Sequence, residues 1–517
     1  MKEKLGGMRH MAGREDKTSV VGQIGTKKPS IDKDLKKIEQ LERATRTASR
    51  AWPSIGIAAL FLATAGVLAS LQVGAAQSSS IVIAAAIIGG YMALTIGAND
   101  VANNVGPAVG ARALTMLGAL VIAAIFEFAG ALIAGGSVVK TISKGIIDPS
   151  LVPSSDVFVS IMMSALLASA LWVHLATYLG APVSTTHSIV GGVLGAGLAA
   201  VGVEAVDWYV MASIAASWLT SPLIGGVIAA AFLAFINIRL IYQEDKIAAA
   251  QRWVPVLVGI MSAAFGAYLV VKGLKHVWKP GFPAIIAIAI LIYVVSYFAA
   301  RPWVRRQSAR MENRNQSLRK LFHLPLICSA ALLSFAHGSN DVANAVGPLA
   351  AIVSSATTGE LSSEVGVPIW VLVIGGFGIS LGLFLFGPRI VRIVGDQITK
   401  MNPMRAFCVA LSAALTVLVA SQLGLPVSTT HIVVGAVFGV GFFREQYTAR
   451  SRRRLEYIRT HRRRSKDRGQ ALLPDEMRRR KLVRRSHFIG IVAAWVVTVP
   501  SAAGLSALIF FCSGWLR

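Results

Sequence analysis

The sequence predicts an all-α polytopic membrane protein made of two inverted-topology repeats, with broken or re-entrant helices among about 12 to 13 membrane segments. Three observations carry that prediction. Of 517 residues, 54% are hydrophobic and 15% charged, with a mean hydropathy of +0.62, which excludes an ordinary soluble domain. The net charge of +26 is concentrated in residues 1 to 50, 301 to 320 and 444 to 487, which carry +6, +6 and +12. Two polar strings of the first half return, in the same order, in the second.

The elements follow in chain order. Residues 1 to 50 form a basic cytoplasmic N-terminal tail; no apolar stretch precedes Trp52, so no cleavable secretory signal is expected. A helix crosses a bilayer core with roughly 20 apolar residues, and such runs fall at 51–73, 81–112, 114–135, 156–179, 182–201, 209–236, 253–272, 283–300, 321–350, 367–388, 404–424, 426–443 and 488–512. If each crosses once and the N-terminus is cytoplasmic, all three basic blocks lie inside, as the positive-inside rule requires. The domains are then an extra N-terminal segment (51–73), a first repeat (81–300), a basic cytoplasmic linker (301–320), a second repeat core (321–443), a basic cytoplasmic loop (444–487) and a C-terminal transmembrane segment (488–512). Cys328, Cys408 and Cys512 fall in apolar runs without CxxC spacing, so neither a disulfide framework nor a zinc site is indicated.

The duplication is explicit. Gly97-Ala98-Asn99-Asp100-Val101-Ala102-Asn103-Asn104-Val105-Gly106-Pro107 returns as Gly338-Ser339-Asn340-Asp341-Val342-Ala343-Asn344-Ala345-Val346-Gly347-Pro348, 241 positions later. Pro182-Val183-Ser184-Thr185-Thr186-His187 returns as Pro426-Val427-Ser428-Thr429-Thr430-His431, 244 positions later. The parity of the spans makes the copies enter from opposite sides. Inverted repeats with Gly/Pro-interrupted segments mark secondary transporters, whose substrate site lies at the repeat interface near the midplane.

Asp100, Glu127 and Asp341 are the acids placed firmly inside membrane segments, where an ionisable side chain points to function. Asn99, Asp100, Asn103 and Asn104, with Asn340, Asp341 and Asn344, offer the oxygen ligands that a small hard cation takes. An alternative is that Asp100 and Asp341 cap helices restarting after Gly97 and Gly338. In the second string a proline interrupts a helix and Ser184, Thr185 and Thr186, or Ser428, Thr429 and Thr430, bring hydroxyls to a fresh helix N-terminus. Such a start is an anion cradle, through its free N–H groups and the positive end of the dipole. Simple capping and small-residue packing is the alternative. An oxyanion beside two carboxylates, with no Lys or Arg in the motifs, requires cations to enter with it. His187 and His431 are candidates for proton handling. His174 and His337 read as structural histidines of apolar segments, although His337 directly precedes the second motif.

These strings resemble the inorganic phosphate transporter (PiT) family, whose signature is a duplicated G-x-N-D-x-A-N-A-x-G motif; the likeness covers roughly residues 81 to 512. The resemblance implies symport of inorganic phosphate with H+ or Na+ by alternating access. Carried across by motif, it makes Ser184, Thr185, Thr186, Ser428, Thr429, Thr430, Asn103 and Asn344 the phosphate-binding residues. Asn99, Asp100, Asn340 and Asp341 become the cation ligands, and Glu127 matches a family position important for transport. Two departures stand out: Asn104 replaces the usual Ala, and Ala410 stands where eukaryotic members tend to have a Glu. The extra first segment and the long basic loop suggest a bacterial branch in the inner membrane.

A sulfate or other tetrahedral oxyanion permease has the same architecture. From another class, an ion channel lacks a reason for inverted repeats. A membrane-anchored partner-binding protein would use the arginines of 444 to 487, which anionic lipid and orientation explain without nucleic acid. No Walker A string, metal-ligand spacing or cofactor motif suggests an enzyme, a cofactor, or any metal beyond Na+. The assembly state, a homodimer included, is left open by the sequence.

Overall fold

The computed structural model describes residues 53–73, 79–181, 183–273, 280–358, 366–398, 401–450 and 485–514. The N-terminal tail, Pro182 and most of the basic loop 444–487 lie outside these residues. The described chain is helical, without strands; one isolated bridge joins Ile147 and Val206.

The helices are α1 (Pro53–Val73), α2 (Ser79–Gly110), α3 (Met116–Ala134), α4 (Gly136–Lys140), α5 (Ser155–Leu179), α6 (Thr185–Ala200), α7 (Trp208–Ile236) and α8 (Lys246–Gly273). They continue as α9 (Phe282–Ser308), α10 (Asn315–Leu321), α11 (His323–Asp341), α12 (Ala343–Thr358), α13 (Ile369–Ile398), α14 (Pro403–Gln422), α15 (Thr429–Arg450) and α16 (Arg485–Gly514). Ten described helices are long and apolar enough to cross a membrane, or up to 11 when α10 to α12, bent by 42° after Leu321, count as one span. The thirteen apolar runs of the sequence all become helices. The runs at 182–201 and 426–443 are among those not counted as spans: α6 has 16 residues, and the apolar part of α15 stops at Arg444. The linker 301–320 is largely helical, because α9 continues through Arg305 and Arg306 to Ser308.

Lipid-facing surface and core separate clearly from Gly56 onward. On α9, Ile290, Leu291, Val295 and Phe298 are 58–61% exposed, a surface that only a hydrocarbon solvent tolerates. Between the halves, by contrast, helices touch backbone to backbone. α2 crosses α13, and α11 crosses α3. A Cβ on Gly97 would meet the carbonyl oxygen of Ile379, and one on Gly338 that of Glu127. Their partners across the crossing, Gly382 and Gly130, face the carbonyls of Leu94 and Phe335. α6 on α16 and α15 on α7 repeat the pattern, with Gly191 against Val499 and Gly435 against Pro222. Small residues allow helix backbones to approach where water-driven packing is absent. The same contacts therefore occur twice, and they draw both motif helices into the centre.

Candidate functional site

The first motif runs through the interior of α2, and the second spans the end of α11, a one-residue break at Val342, and the start of α12. Asp100 lies mid-helix and Asp341 ends α11, so neither caps a helix start and the capping reading is excluded. The second string does restart a helix in each half. Ser184 is the N-cap of α6 and accepts from the His187 amide at 3.1 Å; Ser428 accepts from the His431 amide at 3.3 Å ahead of α15. Two hydroxyls predicted to face an anion are thus engaged as caps.

The threonines point to the carboxylates. Thr185 donates to Asp100 Oδ2 at 2.9 Å, and Thr429 donates to Asp341 Oδ2 at 3.0 Å. Other bonds cross between halves: Thr430 donates to Asp100 Oδ1 at 3.1 Å, Asn103 donates to Thr430 Oγ1 at 2.7 Å, and Asn344 donates to Thr186 Oγ1 at 3.1 Å. Asn99 contacts the Thr177 hydroxyl at 2.9 Å; its counterpart Asn340 donates to Ser421 Oγ at 3.0 Å. Asp100, Asn103, Asn344, Thr185, Thr186 and Thr430 are thus joined in one buried network, beside the Thr429–Asp341 pair.

The two halves are chemically unequal. Asp100 accepts from Thr185, Thr430 and Asn103. Asp341 Oδ1, Asn340 Oδ1 and Asn344 Oδ1 are buried and have no hydrogen-bond partner among the described residues. Buried oxygens without donors are costly, and three of them on the second motif fit a hard cation better than they fit a closed protein core. One ligand atom each from Asp100, His337 and Asp341 lies within 4.8 Å of the others, a further sign of cation-sized geometry.

His337 is the residue that sequence reasoning misjudged. Its Nε2 lies 3.0 Å from Asp341 Oδ2 and 3.8 Å from Asp100 Oδ2, while Nδ1 lies 3.3 Å from Glu127 Oε1. The available signal was its spacing, one helical turn before Asp341. Glu127 also accepts from Asn104 Nδ2 at 2.6 Å, so the departure at 104 belongs to the network. Tyr268 of α8, unnoticed in the sequence, meets Ser339 Oγ at 2.6 Å. His187 and His431 sit at the two helix starts with ring centroids 4.4 Å apart, and the His187 ring lies 3.8 Å from that of Trp218, tilted by 37°. Trp218 Nε1 in turn donates to Pro426 O at 3.1 Å. Ala410 lies in the packed core of α14, and the crossing contacts place Ile379 as the counterpart of Glu127.

A helical membrane protein whose duplicated motifs converge on a buried cluster of carboxylates, amides and helix starts belongs to the class of solute transporters. The family model for the "Phosphate transporter family" matches residues 96–506, and the chain belongs to that family. It is 44% identical over 531 aligned positions to a protein of Helicobacter pylori (strain J99), covering 94% of this chain and 99% of that one. A protein of Pyrococcus abyssi is 37% identical, with 82% and 96% covered; both are named "Putative phosphate permease". A solved structure titled "The sodium-dependent phosphate transporter" is 35% identical, with a TM-score of 0.73, covering 85% of this chain and 100% of that one.

Proposed function

We propose that this protein carries inorganic phosphate across the membrane together with a cation, Na+ first among the candidates, by alternating exposure of the central network. The observation that carries the reading is the meeting of Asp100, Asp341, Asn103 and Asn344 with Thr185, Thr186, Thr429 and Thr430, four of the bonds spanning the halves. Three buried carboxylates share the site, and among the described residues His337 alone supplies a nitrogen base within ion-pair range of them. An oxyanion brought near uncompensated carboxylates is repelled by several kcal/mol at about 4 Å. Co-bound cations remove that penalty. The Asp341, Asn340 and Asn344 oxygens serve the cation, and the Thr hydroxyls with the amide nitrogens of Asn103 and Asn344 serve phosphate. Ser184 and Ser428 hold the helix starts in place behind them.

Acceptors outnumber donors here, which favours an oxyanion that keeps a hydroxyl at neutral pH; phosphate does, and sulfate does not. The halves act as inverted repeats joined by residues 301–320, with the N-terminus and basic blocks on the cytoplasmic side of a bacterial plasma membrane. Labelled phosphate uptake into proteoliposomes, with Na+ and pH gradients imposed separately and excess sulfate present, tests the reading. Gradient-driven uptake resistant to sulfate is expected. Uptake indifferent to both gradients, or sulfate uptake in its place, would overturn it.

A further inference from the structure

Among the polar differences between the two halves around the centre, three touch one another. Asn104 corresponds to Ala345, His337 to Ile96, and Glu127, by the helix crossing, to Ile379. Asn104 Nδ2 donates to Glu127 Oε1 at 2.6 Å, and His337 Nδ1 lies 3.3 Å from that same oxygen. All three side chains are at most 1% exposed. Three independent departures from a duplication, on α2, α3 and α11, that converge on one oxygen atom are not accounted for by packing. An apolar trio already fills the corresponding place in the other half.

We propose that Asn104 is a positioning residue for cation coupling: it holds Glu127 against His337, and through His337 beside the Asp341 cation site. The inference rests on the proposed coupled transport and deepens it. The bond is to a buried carboxylate, the strong kind of hydrogen bond, and its loss leaves Glu127 Oε1 without its amide donor in a water-free setting. Glu127 Oε2 and Asn104 Oδ1 already lack partners among the described residues, so the pair has no alternative set of donors to fall back on. A displaced Glu127 alters the charge that the cation senses. The phosphate-facing threonines contact neither residue, so phosphate affinity responds less.

The test is uptake into proteoliposomes by the wild type, Asn104→Ala, Glu127→Gln and the double variant, each titrated with Na+ at fixed phosphate and with phosphate at saturating Na+. Asn104→Ala is expected to raise the half-saturating Na+ concentration about tenfold or more, the equivalent of one charged hydrogen bond, and to change half-saturating phosphate less. In the Glu127→Gln background the same substitution should add less than about twofold, since residues acting through one another are not additive. If Asn104→Ala does not reach the bilayer folded, Asn104→Ser takes its place with an effect of the same sign. Equal changes in both titrations, multiplicative effects in the double variant, or no change would overturn the proposal. Those outcomes leave wild-type Na+ dependence intact, whereas a wild type without cation dependence removes the coupled-transport reading and this inference with it.

Discussion

Replacing Asp341 by Asn removes one negative charge and keeps the shape. Asp341 Oδ1 and the amide oxygens of Asn340 and Asn344 are the buried oxygens left without donors in the second motif. At an effective dielectric near 20, a carboxylate about 4 Å from a monovalent cation contributes about 4 kcal/mol. The substituted amide returns part of that through its oxygen, so a loss of about 2.7 kcal/mol, or 100-fold in cation affinity, is the floor. Asp100 differs, since Thr185, Thr430 and Asn103 all donate to it. Asp100→Asn therefore disturbs the hydroxyls proposed to bind phosphate, and both substrates should weaken. The assay is initial uptake in proteoliposomes as a function of Na+ at saturating phosphate, then the reverse. Wild-type Na+ activation in Asp341→Asn, combined with weakened phosphate, would refute the assignment of the orphaned oxygens to a cation.

Three further outcomes follow from the geometry. Thr430→Val removes one donor to Asp100 and an acceptor for Asn103, and should weaken phosphate by about tenfold or more in the phosphate titration. Gly338→Ala would drive a methyl into the Glu127 carbonyl and destabilise the fold by about 1–3 kcal/mol or more, read as lost monodispersity on heating in detergent; Gly504→Ala, with open space around it, should behave as wild type. Tyr268→Phe removes the contact with Ser339 and should cost about 1 kcal/mol of thermal stability, checked by a melting shift in detergent.

Much of the fold was legible because hydrocarbon demands long uncharged helices: the apolar runs at 156–179 and 404–424 match α5 and α14 within a few residues. The duplicated strings likewise single out the Asn, Asp and Thr residues of the centre. Three things were not legible. A histidine in an apolar run looks the same whether it packs or meets three carboxylates, and only the crossing of α11 with α3 brings His337 to Glu127. Asn104 was visible as a departure, yet its partner lies on another helix. The capping role of Ser184 and Ser428 was the third, because a hydroxyl that accepts a helix-start amide keeps its own O–H to donate and shares its sequence signature with a ligand.

The central claim is that phosphate and cation occupy one network and need each other there. Equilibrium phosphate binding to the purified protein at fixed pH, measured across a Na+ titration with choline as the balancing ion, tests this directly. Phosphate affinity should rise with Na+, and Na+ affinity should rise with phosphate by the same factor, as linkage requires. Phosphate binding of equal strength in Na+ and in choline, at every pH examined, would contradict it.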